Sequence, residues 1–156
     1  MKINKKLLFI CLAIPLGVGG LSALLTMGSM DAFASLNQPP LSPPGWLFPI
    51  VWTILFILMG ISLYLVVNSG APEATLSPAL TSFAIGLAFN LFWSIWFFNL
   101  GWYAFAFVWL LALLVIIIIN AVLFYRINKS SGLLLIPYIL WVTFAAYLNL
   151  SIAILN

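Results

Sequence analysis

Histidine is missing from this 156-residue chain, and cysteine occurs once. Without histidine the chain lacks the commonest general base, a usual zinc ligand and the usual axial ligand of haem iron. A lone Cys11 admits neither an intrachain disulfide nor a thiolate metal cage. Charge is scarce too, with five basic and two acidic side chains, or 4% of residues. So few cations cannot neutralise a run of phosphates, which excludes nucleic acid as a partner. Nor can so few polar side chains cover a water-soluble globule. The chain is 66% hydrophobic and reads as an all-α integral membrane protein.

Five apolar runs predict a five-transmembrane-helix bundle, with helices at about 7–27, 46–67, 78–98, 102–124 and 133–155 and a lid loop at 28–45. Each run is long enough to cross a bilayer at about 1.5 Å per residue. No internal repeat or domain break interrupts them, so residues 1–156 form a single membrane domain. Lys2, Lys5 and Lys6 precede the first run, and Ala32-Phe33-Ala34 resembles a signal-peptide cleavage site. The run is longer than the ~7–15 residues of a signal-peptide core, so a retained helix is expected. Its Gly17, Gly19, Gly20 and Ala23 predict a small-residue face for close helix packing. The breaks fall at residues 68–77, 99–101 and 126–132.

Five crossings place Lys2, Lys5, Lys6, Arg126 and Lys129 on one side of the membrane and Asp31 on the other. The positive-inside bias then puts the N-terminus in the cytoplasm, and the C-terminus and lid loop outside. The expected setting is the cell membrane of a bacterium.

The stretch PPLSPPGWLFPIVWTILFILMG, residues 39–60, carries four prolines in its first six positions. Proline fixes φ and removes a backbone donor, so residues 39–44 predict a stiff extended arm above the second helix. Within that helix Trp52, Phe56 and Gly60 recur at i, i+4 and i+8, placing two rings and a close-approach point on one face. On the third helix Asn90, Trp93 and Phe97 share a face. On the fifth, Pro137, Trp141, Ala145 and Leu148 or Asn149 follow the same spacing.

In this topology six of the seven tryptophans fall in the outer half and Trp141 near the middle of the last helix. Trp46 and Trp102, at helix starts, read as interface anchors. Trp52, Trp93 and Trp141 lie deeper, where an indole N–H needs a partner that lipid cannot supply, so they are expected to face the interior. Asn90 and Asn149 read either as interhelical glue or as ligand contacts. Rings, one small residue and an amide or two match an apolar pocket with few orienting polar groups, suited to a flat, hydrophobic, sparingly polar ligand.

Ser35-Leu36-Asn37-Gln38-Pro39, Pro43-Pro44-x-Trp46, Trp52 and Met59-Gly60 resemble the signature of the tryptophan-rich sensory protein and translocator protein family, also called peripheral benzodiazepine receptors. Asn90 with Trp93, Gly101-Trp102 and Pro137-Tyr138-x-x-Trp141-x-x-Phe144-Ala145-x-x-Leu148-Asn149 extend the resemblance over nearly the whole chain. The resemblance implies a five-helix bundle, often a homodimer, whose first loop covers a pocket for porphyrins such as protoporphyrin IX, sterols and benzodiazepine-type ligands. By position it implies pocket residues Trp52, Phe56, Asn90, Trp93, Trp141, Ala145 and Leu148, with Phe33 and Pro44 from the lid. No cofactor is obligatory, and the lack of histidine suits a metal-free porphyrin held by stacking.

The chain departs from the family pattern at several positions. Gln38-Pro39-Pro40-Leu41 replaces a Lys-Pro-Ser-Trp, Ala32-Phe33 replaces a Trp-Tyr pair, and Ala106 stands where an acidic residue is frequent. No basic residue follows Tyr147, so the sterol-consensus pattern is broken.

The leading expectation is a membrane-embedded binding protein or sensor that regulates tetrapyrrole handling. An enzyme that breaks porphyrin down with light or oxygen through pocket tryptophans is the alternative, since the chain offers no acid, base or metal triad. A porphyrin or lipid transporter is the third reading, with Asn90, Asn120 and Asn149 as its few midplane polar groups. Ala84-x-x-x-Ala88 is a candidate dimer contact.

Overall fold

The structure, a computed structural model, describes residues 2–156. Among the described residues seven α-helices follow one another: α1 Lys5–Thr26, α2 Met30–Ala34, α3 Leu47–Val67, α4 Glu73–Ser94, α5 Tyr103–Ile127, α6 Lys129–Leu133 and α7 Ile136–Leu155. Short turns join several of them, so that five continuous apolar spans result: Lys5–Ala34, Leu47–Val67, Glu73–Asn99, Tyr103–Ile127 and Lys129–Leu155. Among the described residues there is no strand. The chain is an all-α integral membrane protein with five spans, as its hydrophobic runs predict.

The helix ends differ from expectation for identifiable reasons. The first helix does not stop at 27, because a 3₁₀ turn at Met27–Ser29 carries it into α2. The covering loop therefore starts at Ser35, after Phe33 has been lifted above the bundle on a helix. The third span begins at Glu73, not at 78. Pro72 holds the extended N-cap conformation (φ −60°, ψ 149°), its carbonyl accepts from Thr75 and Leu76, and Glu73 meets the positive end of the helix dipole. Pro78 then lies inside the helix. Its far end loosens into a π turn at Ile95–Asn99, closed by Leu100 N donating to Ile95 O at 3.1 Å. The break at 126–132 shrinks to Asn128, which leaves the helical region (φ −147°, ψ 119°) and caps α6 by accepting from Ser131 N.

The proline arm is not uniformly extended. Ser42 N donates to Pro39 O at 3.3 Å, closing a turn, and Leu41 takes φ 68°, in the left-handed region that side chains other than glycine rarely adopt. Four long-range bonds pin this segment to α7 and its C-cap. Tyr147 Oη donates to Pro40 O at 2.8 Å, Asn37 N donates to Asn156 Oδ1 at 3.0 Å, Asn37 Nδ2 donates to Leu155 O at 3.4 Å, and Asn156 Nδ2 donates to Asn37 O at 3.1 Å.

The bundle has two distinct ends. At the basic end Asn4 N donates to Tyr64 Oη at 3.0 Å, Ser62 Oγ donates to Ser131 O at 2.8 Å, and Asn120 Nδ2 donates to Ser82 Oγ at 2.9 Å. At the loop end Asn99 bridges α1 and the π turn, donating to Leu25 O at 2.9 Å and accepting from Ser29 Oγ at 2.8 Å. Lys2, Lys5, Lys6, Arg126 and Lys129 share the basic end with Glu73, while Asp31 alone stands at the loop end.

Backbones pack closely along α1 against α3 and α4, α4 against α5, and α5 against α7. The α1–α3 crossing depends on glycine. A Cβ on Gly60 would fall 2.8 Å from the Leu12 Cα, and one on Gly19 would strike the Phe56 ring. Of the small residues expected to form a packing face on the first helix, Gly17 and Gly20 instead face open space and Ala23 is exposed. Ala84 and Ala88 are exposed on the outer face of α4. The seam between α3 and α7 differs from the others, because there the backbones stay apart and side-chain rings fill the gap.

Candidate functional site

Trp52 and Phe56, one helical turn apart on α3, stack with centroids 5.6 Å apart and planes inclined by 28°. Across the seam Trp52 meets the edge of Tyr138 at 6.2 Å, and Phe48 meets Trp141 at 5.9 Å. From α4, Trp93 stacks on Phe97 at 5.4 Å. Phe33, carried by α2, touches Phe48, Phe97 and Phe98 at 6.4, 5.8 and 5.2 Å and so joins Phe48 of α3 to the rings of the π turn that follows α4. Aromatic rings beneath the pinned loop therefore form two groups, Trp52 with Phe56 and Tyr138, and Phe33 with Phe48, Trp93, Phe97, Phe98 and Trp141.

Two polar links organise this set. Asn90 Nδ2 donates to Tyr138 Oη at 2.9 Å, and Trp93 Nε1 donates to Asn149 Oδ1 at 3.0 Å. Asn149 Nδ2 in turn donates to Tyr103 O at 2.8 Å, so one amide ties α4, α5 and α7 together. The deep indole of Trp93 thus has the partner that a low-dielectric interior demands. Trp141 does not: its Nε1 is buried and meets no acceptor among the described residues.

Of the residues singled out from sequence, Phe56, Asn90, Trp93, Ala145 and Leu148 are buried, and Phe33, Trp52 and Trp141 are half-buried. Pro44 is exposed at the top of the arm. Trp46 and Trp102, at 67% and 52% exposure, lie on the surface as interface residues do. Pro137 is exposed, and Tyr138 takes the interior position that the spacing assigned to Pro137. Tyr138 and Phe48 were missed, although Tyr138 precedes Trp141 by three residues and Ala145 by seven, a helical spacing that marks one face. Ala106, where the family pattern is frequently acidic, is fully buried.

The site is wholly uncharged. It offers stacking faces, one buried N–H donor at Trp141 and amides already engaged with neighbours. Among the described residues no group of His, Cys, Asp or Glu is placed to hold a metal ion.

Comparison with known proteins identifies the family of the chain. The family model described as TspO/MBR matches residues 11–155. The tryptophan-rich protein TspO of Chlorobaculum tepidum is 38% identical, covering 98% of this chain and 99% of that protein. Protein CrtK of Rhodobacter capsulatus is 35% identical over 88% of this chain and 85% of its own length. The translocator protein of Ovis aries is 33% identical, over 75% of this chain and 70% of its own length. With five apolar spans, rings gathered under a pinned first loop and a family match over nearly its whole length, the chain is a member of the TspO/MBR family.

Proposed function

We propose that the protein is a binding protein or sensor for flat, hydrophobic, sparingly polar ligands of the porphyrin type, protoporphyrin IX being the probe of choice. The ligand lies in the α3–α7 seam, between Trp52 and Phe56 on one side and Trp141, Ala145 and Leu148 on the other. Trp93 and Asn90 close the back, and Phe33 with the Pro44 arm covers the top. Sterol-like molecules are a second class of occupant.

The observation that carries this reading is the state of Trp141. Its ring meets Phe48 edge-on and Phe144 at a tilt, yet its buried N–H lacks an acceptor, which costs about 1–3 kcal/mol in a protein interior. A planar ligand with a carbonyl or carboxylate oxygen satisfies both needs, replacing ring contacts with its own π face and accepting from the indole. The seam suits such an exchange, because rings are displaced more readily than close-packed backbone.

Binding requires no cofactor, and stacking serves where iron ligation has no histidine. In this reading the N-terminus lies in the cytoplasm of a bacterium, and the loop end faces outward across its cell membrane. Titration of the detergent-solubilised protein with protoporphyrin IX tests the proposal. Saturable quenching of tryptophan fluorescence is expected, and a purely linear, unsaturable decrease refutes it.

A further inference from the structure

An open groove lies on the opposite end of the molecule, outside the aromatic set. It has a volume of about 410 Å³ and opens on the lipid-facing side of the bundle, between the last turns of α5 and the α6–α7 junction. Its floor is made of small residues, Ala121 and the buried Gly132. A Cβ at Gly132 would fall 2.7 Å from the Tyr125 Cα, so glycine is what lets α6 come against α5 and shape this floor. Exposed Ile118, Val122, Leu133 and Ile136 form apolar walls.

At its basic end the groove changes character. Tyr125 and Arg126 line it there, and the Arg126 guanidinium has no ion pair or hydrogen bond among the described residues. Ile118 and Arg126 are eight steps apart, about 12 Å along the helix axis. A cation at the membrane surface thus heads an apolar channel that runs into the hydrocarbon. The surrounding charge has the same sign, since all five basic side chains gather at this end against the single carboxylate of Glu73.

We propose that this groove binds one anionic phospholipid, with an acyl chain along Ile118, Val122 and Ile136 and the headgroup phosphate on Arg126. A bare apolar groove would accept any chain. The unpaired guanidinium at its mouth selects for net negative charge, as basic pockets at helix ends do. The site is independent of the porphyrin reading, because no ring of the aromatic set lines it.

Native mass spectrometry of the detergent-solubilised protein tests the site, using palmitoyl-oleoyl phosphatidylglycerol against phosphatidylcholine with the same chains. The wild type is expected to retain phosphatidylglycerol preferentially, and Arg126→Gln to lower that preference roughly fivefold. Lys6→Gln removes the same charge from the same end and is expected to leave the preference unchanged. Ala121→Phe fills the floor and is expected to abolish retention of both lipids. Equal retention of the two lipids by the wild type overturns the proposal. So does an equal loss in Lys6→Gln and Arg126→Gln, which would mean diffuse attraction to a basic surface. Unchanged lipid retention in Ala121→Phe together with a loss of dimer in the same spectra also overturns it, and assigns the groove to a second copy of the chain.

Discussion

Trp93 on α4 and Asn149 on α7 are joined by an Nε1–H to Oδ1 hydrogen bond of 3.0 Å, buried where water does not reach. Because Asn149 also donates to Tyr103 O, its amide fixes the mutual position of three helices. Interhelical hydrogen bonds in membrane proteins contribute about 0.6 kcal/mol on average and up to about 1.7. Asn149→Leu breaks two of them and strands a buried donor, so a loss of about 1–2 kcal/mol is expected in denaturant-monitored unfolding in detergent. Trp93→Phe removes only the donor. A double-mutant cycle between the two is expected to return a coupling of about 0.6 kcal/mol.

The glycines of α1 and α3 separate into two classes by what a methyl group would meet. Gly60→Ala places a Cβ 2.8 Å from the Leu12 backbone, which cannot rotate away, and is expected to cost about 1–3 kcal/mol. Gly17→Ala and Gly20→Ala point into open space and are expected to change stability by no more than about 0.5 kcal/mol. Thermal unfolding of the three variants in one detergent checks the order.

The loop over the aromatic set is held by polar contacts on exposed atoms. Tyr147→Phe deletes the bond to Pro40 O, and Asn156→Ala deletes those to Asn37. At about 0.5–1.5 kcal/mol per bond, these changes raise the population of the open loop several-fold while leaving the helical core intact. Hydrogen exchange is expected to accelerate in both variants at Asn37 and Ser42, whose backbone amides are hydrogen-bonded, with amides of α5 unchanged.

Much of this architecture is written locally in the chain. Runs of apolar residues too long for a soluble core define five spans, and the i, i+4 spacing of Trp52 and Phe56 places their rings together, as observed. Helix ends were harder to read, because Gly28 and Pro78 look like breaks while Pro72 and Asn128 provide the caps. The partners of the loop were not legible at all. Asn37 and Asn156 stand 119 residues apart, and nothing near either position signals the other. For the same reason the sequence marked Asn90 and Asn149 as polar positions without deciding what they touch. The structure pairs them with Tyr138 and Trp93.

Substitutions in the seam separate ligand contact from folding. Trp141→Phe keeps an aromatic face but removes the N–H, and is expected to weaken protoporphyrin IX binding by about 1 kcal/mol, or roughly fivefold. It is also expected to leave stability unchanged or improved, since it removes an unsatisfied buried donor. Ala145→Phe occupies the space beside Trp141 and is expected to weaken binding further. Parallel fluorescence titration and thermal unfolding of each variant give both readouts.

The central claim is that the α3–α7 seam, under the pinned loop, is where a planar ligand resides. A crystal structure of the protein with protoporphyrin IX tests this most directly. The account predicts the macrocycle between Trp52 and Trp141, with the Trp141 Nε1 donating to a ligand oxygen and the rings of Phe48 and Tyr138 displaced. A macrocycle on the lipid-facing surface beside Trp96 and Trp102, with the α3–α7 rings still in mutual contact, would contradict it.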